Sequence, residues 1–247
     1  FIMKKYEYYK NDEDKFYNIN SMTKWKKTKQ ELDKFLEDLI SPYIKNQKLN
    51  ILDACCGIGH IVNLLCDSSP QSQFHGIDQT SYLIEEAKKI NHQKKNAFFE
   101  TLDVYDLSDA KTKYYDISIN WKTISWLPSY EDILKQLFKV TKSHIFLSSL
   151  FYDGDIDFEI KVRPNTMEKV KNGGYYHYNV YSLPKFKNFV YNLGAKKILK
   201  HDFELDIDLP KPPDDVMGTY TLNLDNGNKL QVSGTIIMNW KVLIIYL

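Results

Sequence analysis

Leu49-Asn50-Ile51-Leu52-Asp53-Ala54-Cys55-Cys56-Gly57-Ile58-Gly59-His60 is the stretch whose reading decides the fold. It begins as a short apolar strand and ends on an acid. A tight turn with two glycines follows, after which Ile61, Leu64 and Leu65 recur at helical spacing. Strand, glycine turn and helix N-terminus together set backbone N–H groups and a positive dipole end against a bound ligand. Glycine serves there because a side chain would hold the ligand off the backbone. A Gly-x-Gly turn alone can equally be tight strand-to-helix packing with no function. A second stretch tips the balance: about 20 residues on, Gln73-Phe74-His75-Gly76-Ile77-Asp78 also reads as a strand ending in an acid. That spacing suits an acid at the tip of strand two gripping ribose hydroxyls in a nucleotide-type βαβ unit.

Outward from this unit the pattern alternates. Strands are expected at Leu49–Ala54, Gln73–Asp78, Phe98–Asp103, Tyr115–Asn120 and Ser143–Leu150. Helices are expected at Gly59–Cys66, Ser81–Ile90 and Glu131–Val140, the last capped by Ser129. Short connections between alternating elements demand right-handed crossovers and a parallel sheet covered on both faces. Ligands bind beyond the carboxyl ends of such strands, and Asp53, Asp78, Asp103 and Asn120 all fall at expected ends.

At this point the residues resemble a family. Leu52-Asp53-Ala54-Cys55-Cys56-Gly57-Ile58-Gly59-His60 is similar to motif I of the class I S-adenosylmethionine-dependent methyltransferases, whose usual form is acid-x-Gly-x-Gly-x-Gly. Cys55 departs from it, standing where the first glycine is expected; a small side chain is tolerable there if φ is negative. Asp78 falls where the family keeps its ribose-binding acid, with Gln79 beside it. Thr101-Leu102-Asp103-Val104 falls where a polar residue after strand three faces the adenine. Tyr115-Asp116-Ile117-Ser118-Ile119-Asn120-Trp121 resembles the strand-four motif that ends beside the methionine moiety. The resemblance implies a Rossmann-like, doubly wound, seven-stranded sheet, mostly parallel with the last strand antiparallel. It implies S-adenosylmethionine as cofactor and S-adenosylhomocysteine as product, with no metal. Cofactor contacts are then expected from Asp53, Cys55, Gly57, Gly59, His60, Asp78, Gln79, Leu102, Asp103, Val104, Asn120 and Trp121.

Composition agrees with a globular protein and narrows the partners. At 247 residues, with 43% hydrophobic and 26% charged residues, the chain has ample length to bury a core. A formal charge of +1 gives no global field to recruit nucleic acid, though a local patch is compatible with it. Three cysteines, two of them adjacent, make neither a disulfide framework nor a spaced zinc site, and Cys66 reads as a small buried hydrophobe. The N-terminus shows no apolar leader and the apolar run 242–247 is too short to span a bilayer, so a cytoplasmic protein is expected, with no membrane partner and its oligomeric state left open.

Four regions are expected: an N-terminal arm and helix over 1–48, the cofactor-binding core over 49–150, an insertion over 151–181 at the acceptor site, and the rest of the same core over 182–247. Thr28-Lys29-Gln30-Glu31 reads as a capping box before Leu32, Phe35, Leu36, Leu39, Ile40 and Tyr43, one buried helix face. In the resembled family such an arm folds over the cofactor, which makes Tyr17, Lys24 and Trp25 lid candidates; covering apolar surface is the equal alternative. Ser182-Leu183-Pro184 opens a helix that Gly194 closes. A strand over Ile198–Leu205, a hairpin around Asn226-Gly227 and a final strand over Trp240–Leu247 complete the chain.

Trp126, Phe151, Tyr152, Tyr175, Tyr176 and Tyr178 are the candidate acceptor contacts; Trp121, Trp126, Phe151 and Tyr152 are expected near the reacting methyl, where a cation favours ring faces. Core packing is the competing role for each. Asn120-Trp121-Lys122-Thr123 lacks the Asn/Asp-Pro-Pro-Tyr/Phe form of base and amide methyltransferases, so an oxygen acceptor is expected. Its proton would go to a histidine, and His177 is the one best placed by this layout, with a role-free loop histidine as the alternative. Lys24, Lys161 and Arg163 could meet an anionic acceptor or simply form a solvated face. Ser148–Phe151 and Met217–Leu222 resemble a bacterial subgroup associated with surface-polysaccharide synthesis, which suggests a sugar or phosphoryl-type small molecule such as a capsular phosphoramidate. RNA methylation, motivated by Lys24-Trp25-Lys26-Lys27, and a non-catalytic cofactor-binding module are the other readings.

Overall fold

The computed structural model describes residues 31–109, 112–163, 175–212 and 217–247. Tyr17, Lys24, Trp25 and the capping residue Thr28 lie outside them, as do Gly173 and Gly174 of the insertion. The chain divides into two compact units at residues 111 and 112.

In the first unit, α1 (Glu31–Ile44) buries Leu32, Asp33, Leu36, Ile40 and Ile44 along one stripe, with Pro42 inside its last turn. Next come β1 (Asn50–Ala54), α2 (His60–Cys66), β2 (Gln73–Asp78), α3 (Ser81–Ile90) and β3 (Ala97–Thr101). β2 pairs parallel to both β1 and β3, in the registers Asp53↔Gly76 and Asp78↔Thr101. β1 is buried over Ile51–Ala54 and β2 at Phe74, Gly76 and Ile77, whereas β3, at the sheet edge, buries only Phe99. β3 stops at Thr101, two residues short of expectation, because Asp103 Oδ1 accepts from Tyr105 N–H (3.0 Å) and starts a 3-10 turn at Val104. Likewise α2 begins at His60, with Gly59 as a left-handed N-cap.

In the second unit, β4 (Tyr115–Asn120) leads to α4 (Glu131–Val140) and then without a loop to β5 (Thr141–Ser149). Tyr130, not Ser129, is the N-cap of α4, and no side chain caps it; Glu131 and Asp132 instead place negative charge in its first turn. The expected insertion contains the short strands β6 (Phe151–Tyr152), β7 (Lys161–Val162), β8 (Tyr176–His177) and β9 (Tyr181–Ser182). Ser182 caps α5 (Leu183–Asn192) by accepting from Lys185 N–H, and Gly194 closes it at φ +105°. β10 (Lys197–Asp202), the meander β11 (Thr219–Asn223), β12 (Lys229–Ser233) and β13 (Ile236–Ile237), and β14 (Lys241–Tyr246) follow.

The long strands make a seven-stranded sheet in the order β10-β14-β5-β4-β1-β2-β3. β4 and β5 run parallel, whereas β14 is antiparallel to both β5 and β10. The expected Rossmann-like, seven-stranded, mixed sheet with an antiparallel last strand is the fold observed.

Candidate cofactor site

The turn between β1 and α2 is built from left-handed residues at alternate positions: Cys55 at φ +64°, Gly57 at +55° and Gly59 at +71°. The condition for an easily tolerated side chain at Cys55, a negative φ, is therefore not met. A cysteine takes a conformation that costs an L residue about 1 kcal/mol or more, and the neighbouring bonds hold it there. Cys56 N–H donates to Ile77 O (2.9 Å), Gly59 N–H donates to Cys56 O (2.9 Å), and Asn63 N–H donates to Gly59 O (2.9 Å). Gly59 has a second reason to lack a side chain, since a Cβ there would sit 2.5 Å from Phe99 Cε1 and 3.0 Å from Asn91 Nδ2.

Asp78, at the tip of β2, clamps this turn. Its Oδ2 accepts from Gly57 N–H (3.0 Å) and its Oδ1 accepts from Thr80 N–H (2.9 Å). The Thr80 side chain bonds the carboxylate as well; of its roughly four lone-pair sites one remains to accept from a ligand. Burial raises its pKa, the Thr80 and Gly57 N–H bonds and the Thr80 side chain pull it down, and Asp103 raises it again. Leu102 N–H donates to Asp78 O (3.0 Å), which fixes the segment after β3 beside the tip of β2. Leu102 and Asp103 are half-buried, Val104 is buried and Gln79 is exposed.

Asp53 closes β1 and is only 2% exposed. Its Oδ2 has no hydrogen-bond partner among the described residues. Burial, then Asp78, then Asp33 push its pKa well above the ordinary carboxylate range. An unsatisfied buried acceptor costs free energy unless a donor arrives. His60, half-buried at the start of α2, has Nε2 3.9 Å from Asp33 Oδ2. Thus Asp53, Cys55, Gly57, Gly59, His60, Asp78, Leu102 and Asp103 belong to one unit and gather about one turn and two strand tips.

Sequence reasoning missed three supports of this turn. Asn91 is buried, donates to Gly59 O (3.4 Å) and Ala87 O (2.9 Å), and accepts from Asn63 Nδ2 (2.8 Å). Phe99 fills the space that Gly59 and Gly76 leave open. Asp33 is fully buried on α1; an acid on the otherwise apolar stripe Leu32, Leu36 and Ile40 was a readable signal.

The second unit holds the remaining expected residues. Asn120 and Trp121 are buried at the end of β4, and Lys122 N–H donates to Ser148 Oγ (2.8 Å). Trp126 packs on Tyr178 with ring centroids 4.8 Å apart. Tyr181 Oη reaches Ile124 O (3.0 Å) and Leu127 O (2.9 Å), while Asn179 Nδ2 donates to Leu127 O (3.0 Å). These bonds fix the 3-10 turn that carries Trp126. Burial pushes the Tyr178 hydroxyl well above its usual pKa, which keeps it protonated.

Phe151 is 1% exposed and edge-on to Phe186 at 4.8 Å, packed in the core. Tyr176 is buried and Tyr152 exposed. Lys161 pairs with His177 across β7 and β8, and its Nζ lies 4.5 Å from the Tyr175 ring centroid. Tyr175 stacks edge-on to His177 at 5.3 Å. Lys161, Arg163, Tyr175 and His177 therefore share one local stretch, with both cations exposed. Among the described residues no group of His, Cys, Asp and Glu could hold a metal ion, and no helix is long and apolar enough to cross a membrane.

Comparison with known proteins agrees with this geometry. A family model described as a methyltransferase domain matches residues 45–188. The malonyl-[acyl-carrier protein] O-methyltransferase of Priestia megaterium is 32% identical over 97 residues, which is 39% of this chain and 34% of that protein. The enzyme of the same name from Bacillus anthracis is 29% identical over 103 residues, 42% of this chain and 37% of that one. The chain thus spans little more than a third of the length of these curated relatives. Among solved structures, the YcgJ protein from Bacillus subtilis superposes with a TM-score of 0.59 at 14% identity, covering 85% of this chain and 96% of that one. Magnesium protoporphyrin IX methyltransferase from Synechocystis, solved with bound S-adenosylhomocysteine, gives 0.54 at 13% identity over 98% and 90% of the two chains. Sheet order, motif turn and family match converge: the chain belongs to the methyltransferase-domain family, of the class I S-adenosylmethionine-dependent kind.

Proposed function

We propose that this protein binds S-adenosylmethionine in the first unit and transfers its methyl group to an oxygen atom of a small polar acceptor. The observation that carries the reading is Asp78, whose carboxylate holds the motif turn through Gly57 N–H while keeping acceptor capacity for a ribose hydroxyl. Asp53, with its buried unsatisfied Oδ2, supplies the acceptor for the ammonium of the amino-acid end. The cofactor brings a methyl already activated on a sulfonium, so the protein's task is to align it with the acceptor.

The acceptor class is read from the second unit. Lys161, Arg163, Tyr175 and His177 offer two cations, a ring and a titratable imidazole, which suits an anionic or hydroxyl-bearing small molecule. The curated relatives' printed name, an O-methyltransferase, supports oxygen as the atom methylated. A sugar or phosphoryl metabolite of surface-glycan synthesis is the finer form of this proposal. Its motif support is reduced, because Ser148, Ser149, Leu150 and Phe151 are all buried and act as scaffold. The test is release of S-adenosylhomocysteine with a panel of carboxylates, phosphorylated sugars and neutral sugars. Turnover with an acid-bearing or hydroxyl oxygen acceptor supports the reading; turnover confined to RNA or to nitrogen acceptors contradicts it.

A further inference from the structure

β3 is the last strand in the sheet order, and among the described residues it pairs with β2 alone. Its bonds to β2 use alternate residues: Asn96 O accepts from Phe74 N–H (2.8 Å), and Leu102 N–H donates to Asp78 O (3.0 Å). A parallel ladder keeps that alternation between them, through Phe98 and Glu100. The N–H and C=O groups of Phe99 and Thr101 therefore point outward from the sheet, as does the C=O of Ala97; Ala97 N–H donates to Lys94 O (3.2 Å). Such a row is a template for another strand, and proteins ordinarily blunt it with proline, lysine or a bulge. Ala97, Phe98 and Phe99 carry none of these.

The two faces of β3 differ. Phe99 packs where Gly59 and Gly76 leave room. Phe98, in register with His75, projects from the opposite face and is 55% exposed, the most exposed phenylalanine among the described residues. Between β3 and β4 the described residues supply only the 3-10 turn Val104–Asp109 where a covering helix is usual. Charge is polarised along the same edge. Lys94 and Lys95 precede β3, whereas Glu100, Asp103 and Asp106 end or follow it. Lys94 pairs with Asp67, Glu100 Oε2 lies 3.3 Å from His75 Nε2, and Lys95 is exposed. A parallel copy of this edge would set like charges together; an antiparallel copy opposes them.

We infer that β3 pairs antiparallel with β3 of a second copy of this chain, across a two-fold axis at Phe99. That register uses every outward group left unbonded in the strand except Thr101 C=O. The two Phe99 residues exchange both their bonds, and each Thr101 N–H donates to the partner's Ala97 O. Phe98 then lies opposite the partner's Glu100 and diagonal to the partner's Phe98, within aromatic reach. The lysine turn of each copy comes beside the acids that follow the other's β3. A two-fold contact of this kind closes on itself, and one strand pair is a small interface, so the dimer is reversible. The inference is independent of the cofactor reading.

Sedimentation velocity of the full chain, from micromolar to near-millimolar concentration, reads the association. A monomer–dimer equilibrium is expected, with amide hydrogen exchange at Phe99 and Thr101 slowing as the dimer fills. Phe98→Lys, at an exposed position, leaves the monomer folded and abolishes the dimer. Lys95→Glu raises the dissociation constant about tenfold, since like charges then meet, and the difference shrinks at high salt. A monomer throughout the range overturns the inference, as does a dimer retained in folded Phe98→Lys. Growth beyond the dimer, or slowed exchange in other strands in place of Phe99 and Thr101, overturns it too.

Discussion

Replacing Asp53 with asparagine should make the cofactor-free protein more stable and its cofactor binding weaker. The side chain is 2% exposed, its Oδ2 is unsatisfied among the described residues, and Asp78 and Asp33 oppose its charge. Asparagine keeps the shape and removes the charge. The sign follows from the raised pKa: a carboxyl held above its ordinary 3.8 contributes stability below that value and loses it as pH rises through the folded pKa. Asp53→Asn has no such titration, so its advantage is small in acid and appears as pH rises. Relief of an unsatisfied buried group is worth about 1–3 kcal/mol, and each kcal/mol moves Tm by roughly 2–4 °C in a chain of this size. On the binding side, loss of a charge-assisted hydrogen bond costs about 1.5–3 kcal/mol, a rise in Kd of roughly 10- to 150-fold. Thermal melts of the free protein at two pH values, repeated with S-adenosylhomocysteine, read both effects. A variant no more stable than wild type at neutral pH, or one with an undiminished ligand-induced shift, refutes the reasoning.

Asp78→Ala leaves Gly57 N–H and Thr80 N–H without their acceptor and removes the ribose contact, so cofactor affinity should fall by about 1.5–3 kcal/mol in a calorimetric titration; unchanged affinity in a folded variant means Asp78 is misassigned. Cys55→Gly relieves a left-handed cysteine and should raise the urea midpoint by the equivalent of about 1 kcal/mol, with binding retained; loss of binding would show that the thiol touches the ligand. His177→Ala is expected to lower turnover while S-adenosylhomocysteine affinity holds, and unaltered turnover removes it as the base.

The sheet and the motif turn were legible because their signals are local and redundant. Asp53, Asp78, Asp103 and Asn120 each end an apolar run, and β1, β2 and β4 fall within a residue of expectation. The φ of Cys55 was not legible because it is set by bonds from Cys56 to Ile77 and from Gly57 to Asp78, contacts about 20 residues distant that no local preference encodes. The core packing of Phe151 was not legible for a similar reason: its aromatic character is visible in the sequence, its partner Phe186 is not. Asn91 escaped notice since a buried asparagine bonding Gly59 O looks, in sequence, like any helix-terminal asparagine. Asp33 was legible in principle, as an acid on an apolar helical stripe.

The most direct test of the account is a thermal-shift comparison of S-adenosylmethionine, S-adenosylhomocysteine, NAD and ATP. A ligand at 100 times its Kd stabilises by about 2.7 kcal/mol. The account predicts a shift with the first two compounds and none with the others. A shift with NAD or ATP alone would contradict it, leaving the Rossmann-like fold in place and the cofactor wrong.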